Sequence, residues 1–355
     1  MVYVKMNKPT SNDVARLAGV SQSAVSMILN NKPNVSFSPE TIGRVYTAAR
    51  QLNYRTKKQQ KVPMGTTDPF IAVVSPTMAN PYYSTLVQSI ENEAARESYG
   101  VLVCDTYHDP HTENRYLSLL STSALHGIIY TFMPFHWEKV KTLSLSVPTV
   151  VVGDKNQSID IDTVELNSTE AGELMARHLL DLGHKKMAFI STPLSENNLP
   201  RFRRLEGVRN EVRSTGAELI VREADRNLVS DKYNPDLEYK VGYEFAKSLA
   251  KDSSITAYIG VNDMVAYGIL DALEERNVRV PDAASVCGFD NIFPSRFHRV
   301  ALTTIDAFHM EKGRDAFELL HRKMTLGEQN SQTSIFRIEY KPTLLTREST
   351  GPCPS

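Results

Sequence analysis

Two groups of residues in this 355-residue chain have the types and spacing to do chemistry. The first is Ser21-Gln22-Ser23, followed by Ser26, Met27 and Asn30. Gln22 can pair with two atoms of an adenine edge, Ser23 tolerates any base, and Met27 can lie on a thymine methyl. Ser21, Ser26 and Asn30 can bond phosphate oxygens, which sets register without reading sequence. The second group is scattered: Ser75, Asn80-Pro-Tyr-Tyr83, Phe132, Gly153-Asp154, Arg204, Asn262-Asp263 and Gly288-Phe-Asp-Asn291. Carboxylates and amides take hydroxyls, an Arg donates in a fork, and aromatic rings cover apolar faces. Such a set suits a small polyhydroxylated or heterocyclic ligand. Singly, each has a plainer use: Asn262 as a helix cap, Asp290 as a turn former, Tyr82 as core.

Other chemistries find no support. His108 and His111 with Asp105 and Asp109 resemble metal spacing only loosely and read as a solvated loop. His178 shares an apolar helix face with Leu174 and Met175 and reads as a core-rim histidine. There is no GxGxxG, no P-loop and no Gly-x-Ser-x-Gly turn. No catalytic residue, metal or cofactor is expected. The three cysteines, Cys104, Cys287 and Cys353, are far apart and form no disulfide or zinc pattern. With no apolar run long enough to span a bilayer and no secretory leader, a cytoplasmic protein is expected.

Charge is distributed unevenly. Between Lys5 and Lys61 stand ten basic residues against Asp13 and Glu40, an excess of eight. The whole chain carries −1, so the remainder carries −9. A basic head on an acidic body points to a polyanion at the front.

The elements that must position the first group are three short helices. Ser11–Ala18 reads as a helix capped by Ser11, with Val14, Leu17 and Ala18 on one face. Gly19 can take the left-handed conformation that ends it. Ser21 then caps a second helix from Gln22 to about Asn30, with Val25, Ile28 and Leu29 inward. The short Gly-containing linker between them is the helix-turn-helix signature. Ser38-Pro39-Glu40 starts a third helix, in which Pro39 sits where its missing N–H costs nothing. In such a unit the N-terminal residues of the second helix meet base edges in the major groove.

Residues 55–69 are polar, basic and broken by Pro63, Gly65 and Pro69, and read as a domain boundary. From Phe70 onward, apolar strands alternate with amphipathic helices. Phe70–Val74, Gly100–Cys104, Gly127–Tyr130 and Thr149–Val152 are strands, and a second set runs through Met187–Ile190, Ala257–Gly260 and Ala284–Cys287. This pattern predicts two parallel-sheet α/β subdomains. Ligands of such sheets bind beyond the carboxyl ends of the strands, which is where the second group falls.

The motifs together resemble the lactose-repressor (LacI/GalR) family. In the headpiece these are Asp13-Val-Ala-Arg-Leu-Ala-Gly-Val-Ser21, Val25-Ser26, Asn30, Ser38-Pro-Glu-Thr41 and Leu52-Asn-Tyr54. In the core they are Asn80-Pro-Tyr-Tyr83, Leu182-Gly-His184, Arg204-Leu-Glu-Gly207, Asn262-Asp-Met-Val-Ala-Tyr-Gly268, Gly288-Phe-Asp290 and Leu302-Thr-Thr304. The resemblance implies Tyr82, Tyr83, Asp154, Arg204, Asn262 and Asp290 as effector contacts. It also implies a hinge helix that wedges a leucine into the minor groove. Here the chain departs: Thr56 and Lys57 replace the family's Pro-Asn step, and Pro63 falls about where the leucine belongs. Arg55 and Lys57 become candidate phosphate or minor-groove contacts instead. The loop Leu228–Glu238 offers Tyr233 as a weak candidate for covering the effector.

The expected fold is therefore a small all-α helix-turn-helix headpiece (1–56), a linker (57–69) and a periplasmic-binding-protein-like core. The core is expected as one subdomain of 70–166 with 295–328, a second of 167–294 with 329–348, and a tail of 349–355. The chain would cross between subdomains near Leu166, near Pro294 and after the helix Met310–Met324. The expected function is a DNA-binding transcriptional repressor, acting as a homodimer on a pseudo-palindromic operator and controlled by a sugar-like small molecule. Two rivals are a sugar receptor without a DNA role and an α/β enzyme acting on a sugar or nucleotide.

Overall fold

Apolar strands separated by amphipathic helices assemble into two six-stranded sheets behind a separate three-helix headpiece. The computed structural model describes residues 9–30, 37–52, 54, 69–156, 159–194, 198–225, 234–297, 299–325 and 334–354.

The headpiece contains α1 (Ser11–Ala18), α2 (Gln22–Leu29) and α3 (Pro39–Gln51). Thr10, not Ser11, caps α1. Thr10 and Asp13 satisfy one another's backbone N–H groups, at 3.4 and 2.9 Å, in a capping box that Ser11 has no acid in position to complete. Gly19 ends the helix at φ +66°, a conformation costly for any residue with a Cβ. Val14, Ala15 and Ala18 pack with Val25, Ile28, Leu29, Val45 and Ala49. Leu17 does not join them: it is half exposed at 51%, and Ala15 takes the inward position.

The first lobe of the core is built from β1 (Phe70–Ser75), α4 (Pro81–Arg96), β2 (Gly100–Asp105), α5 (Pro110–Leu120), β3 (Gly127–Tyr130), α6 (Trp137–Ser144), β4 (Thr149–Asp154) and β5 (Asp162–Leu166). The second contains α7 (Ser168–Asp181), β6 (Lys186–Ser191), α8 (Leu199–Thr215), β7 (Glu218–Glu223), α9 (Leu237–Leu249), β8 (Ala257–Gly260), α10 (Asp263–Glu275), β9 (Ser285–Asp290) and β10 (Thr303–Asp306). The chain then returns through α11 (His309–Thr325) and β11 (Arg337–Tyr340) and ends with β12 (Thr343–Leu345). The sheet orders are β11-β5-β4-β3-β1-β2 and β12-β10-β9-β8-β6-β7. Among the described residues, all pairings are parallel except β10 with β12.

Two of the three expected crossings move. The first lies at Leu166–Ser168, as read from the sequence. The second follows β10, between Asp306 and His309, rather than Pro294, which sits in a 3-10 turn (Phe293–Arg296) of the second lobe. The run Thr303–Asp306 still pairs with Cys287–Asp290 of β9 before the chain leaves. The third crossing follows β11, because Arg337–Tyr340 pairs with Thr163–Leu166 of β5 in the first lobe. Residues 349–354 are not a free tail. Ser349 is fully buried, donates to Val286 O at 2.6 Å and accepts from Thr303 N at 2.8 Å.

One close helix crossing positions the site. A Cβ on Gly207 of α8 would stand 2.0 Å from Thr169 O of α7, and one on Gly172 would stand 2.1 Å from Arg204 O. Two glycines facing each other let the backbones touch. That contact fixes the first turns of α8, which carry Arg203 and Arg204, above the strand ends.

Candidate functional site

The carboxyl ends of both sheets face one narrow cleft between the lobes. Asn80 caps α4 with Oδ1 to Tyr82 N at 2.9 Å, and Pro81 occupies the first turn. This turn sets Tyr82 and Tyr83 edge to face, with centroids 4.9 Å apart, on the cleft wall. Burial lifts both phenols above their usual range, Tyr83 up to about 12, so both stay neutral donors. From the other side, Asn262 caps α10, Arg204 projects from α8 and Asp290 ends β9. Arg204 donates to Asp290 Oδ1 at 2.7 Å and to Val261 O at 2.8 Å, and its guanidinium lies 4.9 Å from the Phe289 ring centroid. Asp290 has φ +112°, a strained backbone for a residue with a Cβ, held in place by that buried pair.

Five of the six cleft residues read from the sequence line this cleft: Tyr82, Tyr83, Arg204, Asn262 and Asp290. Asp154 does not. Its side chain is fully buried, accepting from Ser168 N at 2.9 Å and from Arg203 Nη1 at 2.8 Å. Since Asp154 ends β4 in the first lobe and Arg203 rises from α8 in the second, the pair ties the lobes together. A second tie runs from Asn80 Nδ2 to Glu238 Oε2, at 2.7 Å, and Glu238 also pairs with Arg201. With these ties made, the cleft holds a cavity of about 60 Å³.

The structure adds residues that sequence reading passed over. His108 lines the cleft instead of lying in a solvated loop. Burial, helped by Arg201, pushes its imidazole down to about 4, and its Nε2 has no hydrogen-bond partner among the described residues. Lys312, in the first turn of α11, also lines the cleft. It is 2% exposed, and its ammonium makes no hydrogen bond or ion pair with any described residue. Burial and the neighbouring Arg204 push it down to about 8. No spacing rule flags either residue: His108 sits in a turn with positive φ, and Lys312 reads as the polar side of an amphipathic helix. Asp109, one of the acids near His108, caps α5 through Thr112 N at 3.0 Å. No group of three or more His, Cys, Asp or Glu able to hold a metal occurs among the described residues, nor a helix long and apolar enough to cross a membrane.

The headpiece carries the first group of residues. Ser21 caps α2 through Ala24 N at 3.2 Å and lies 2.9 Å from Ser23 Oγ. Gln22 donates to Ser11 Oγ at 3.0 Å, and Asn30 Nδ2 donates to Ser26 O at 2.7 Å. Ser21, Gln22 and Ser23 are exposed, while Ser26, Met27 and Asn30 are half-buried. Met27 faces a crevice of about 430 Å³ between α2 and the α5–α6 face of the core, with Leu117 and Leu143 opposite. Arg55, Lys57 and Tyr233 lie outside the described residues.

Comparison with known proteins agrees with this geometry. Residues 10–57 match the bacterial regulatory proteins of the lacI family. Residues 68–343 match the periplasmic binding proteins and sugar binding domain of the LacI family. The HTH-type transcriptional repressor PurR of Mannheimia succiniciproducens is 30% identical over 345 residues, covering 96% of this chain and 98% of that protein. Among solved structures, a LacI-family transcriptional regulator from Silicibacter pomeroyi superposes with a TM-score of 0.68 at 23% identity, covering 96% of this chain and 99% of that one. A LacI-family regulator from Enterococcus faecium with bound ribose superposes with a TM-score of 0.67 at 23% identity, covering 80% of this chain and 99% of that one. With a matching headpiece, a matching core and a full-length relative, the chain belongs to the LacI family of bacterial transcriptional regulators.

Proposed function

We propose that this regulator represses transcription as a homodimer, with an effector between its lobes setting the affinity of two headpieces for a pseudo-palindromic operator. The observation that carries the reading is the pair of ties across the cleft, Arg203–Asp154 and Asn80–Glu238. A ligand that binds one closure state better than the other shifts the lobe equilibrium by its differential affinity. The headpiece meets the first lobe at α5 and α6, so that shift changes how two headpieces are spaced.

In this reading Gln22 and Ser23 contact base edges, and Ser21, Ser26 and Asn30 contact phosphates. Met27 reaches the groove once α2 leaves the crevice against α5 and α6. Arg55 and Lys57 add charge beside the duplex. Tyr82, Tyr83, Arg204, Asn262 and Asp290 hold the effector, and Asp154 acts through Arg203. Phe293 and Phe297, 71% and 69% exposed on the second lobe, are candidates for burial between protomers. The protein acts by binding rather than catalysis, on DNA in the cytoplasm.

Selection of duplexes from a random pool, followed by fluorescence anisotropy with and without residues 1–61, tests the whole reading. A pseudo-palindrome is expected to emerge, and binding to vanish without the headpiece. Absence of any enriched sequence at low salt overturns it, and retained ligand binding without DNA binding favours the receptor instead.

A further inference from the structure

Among the described residues lining the cleft, Lys312 is the one cation that forms no ion pair. Arg201 pairs with Glu238, Arg203 with Asp154 and Arg204 with Asp290. Lys312 is left, 98% buried and facing the cavity. The carboxylates that act on it have other hydrogen-bond partners. Asp154 serves Arg203 and Ser168 N, Asp290 serves Arg204, and Asp306 accepts from Phe308 N at 3.0 Å. Buried cations persist where something neutralises them. Beside Lys312, the Nε–H of buried Arg204 also lacks an acceptor. Lys312 therefore faces the cavity without an ion pair or hydrogen bond to any described residue, although Asp154, Asp290 and Asp306 lie near enough to favour its charge.

We infer that the effector cleft takes a small polyhydroxylated molecule bearing an anionic oxygen group, a phosphate ester or a carboxylate, seated on Lys312. The inference rests on the proposed reading of this cleft as the effector site and names its ligand class. A neutral sugar satisfies Asn262, Asp290 and the tyrosines but leaves Lys312 as a buried unpaired charge, a position where an apolar side chain would serve better. An anion completes the fourth pair, and charge-assisted hydrogen bonds to it are the strong ones. The depressed ionisation of the ammonium fits this arrangement, since a bound anion restores its ordinary value.

The test is differential scanning fluorimetry and calorimetry on the full chain at constant ionic strength. The probes are neutral pentoses, hexoses and nucleosides, each matched with its phosphate ester or sugar acid. An anionic probe is expected to raise the melting temperature and to bind at least about tenfold tighter than its neutral parent, which is 1.4 kcal/mol. The phosphate and carboxylate arms distinguish the two sources of the charge. Lys312→Met is expected to raise the melting temperature of the free protein and to abolish the anion's advantage, and Lys312→Arg to keep most of it. Equal binding of parent and anion, or an undiminished advantage in Lys312→Met, overturns the inference while leaving the effector reading intact. If no probe of either class binds or alters operator affinity, the effector reading falls as well.

Discussion

Arg203 of the second lobe donates to Asp154 of the first across 2.8 Å, and the carboxylate it meets is fully buried. Through this bond Asp154 ties the first lobe to the second. Removing Arg203 alone strands a buried carboxylate, a loss of about 3 kcal/mol. Arg203→Ala is therefore expected to lower the melting temperature and enlarge the radius of gyration of the free protein in small-angle scattering. Adding Asp154→Asn should recover the stability but not the closure. An unchanged radius in both variants would show that the lobes are held by something else.

The α7–α8 crossing tolerates no side chain. Gly207→Ala places a methyl 2.0 Å from Thr169 O and 2.8 Å from Glu173 N, both backbone atoms that cannot swing aside. A loss of about 3 kcal/mol or more is expected, with effector affinity falling because Arg204 shifts with the helix. Gly216→Ala is the control. It meets nothing within 4 Å and carries only the strain of φ +72°, about 1–2 kcal/mol. Thermal melts of the two variants side by side decide the matter, and equal losses refute the packing argument.

His108 links stability to pH. Its folded-state value near 4 lies below the ordinary 6.5, so the unfolded chain binds its proton more readily. The stability it contributes is present above pH 6.5 and is lost as the pH falls towards 4. In His108→Gln, the melting temperature should fall less steeply between pH 6.5 and 4 than in the parent protein. Parallel pH profiles would place His108 in water.

At the DNA end, Gln22→Ala should relax preference at one base pair per half-site and cost about 1–3 kcal/mol there. Met27→Ala should weaken preference at a neighbouring position, where the side chain offers only apolar contact. Ser21→Ala should instead cost about 1 kcal/mol of headpiece stability, from the lost cap on Ala24 N, and weaken all sites evenly. Binding-site selection on each variant separates these outcomes, and an unaltered preference in both Gln22→Ala and Met27→Ala sinks the assignment of α2 as the reading helix.

Without the wedging leucine, operator bending should be small. A circular-permutation gel-shift with a strong central kink would contradict this.

The headpiece is legible in the sequence because its signals are local. Gly19 ends one helix, Ser21 caps the next two residues on, and Ser38-Pro39 starts the third, so each decision is made within a turn of chain. The alternation of strands and helices is legible for the same reason. The side of the sheets that binds follows from it, since parallel strands place their carboxyl ends together. That rule places Tyr82 near the strand ends of one sheet and Arg204, Asn262 and Asp290 near those of the other.

What the tertiary structure alone decides is pairing over long separations. Asp154 and Arg203 are 49 residues apart, and Asn80 and Glu238 are 158 apart. No periodicity in the chain specifies which will meet. Strands β10 and β11 join the opposite lobes from those expected, because a four-residue strand carries no local signal for which sheet it will pair with. Lys312 belongs with them. On its helix it is one polar residue among many, and it becomes a buried charge only because α11 packs against the first lobe with its first turn aimed into the cleft. Local propensity sets the elements, whereas burial and charge pairing arise only when elements distant in sequence share a space.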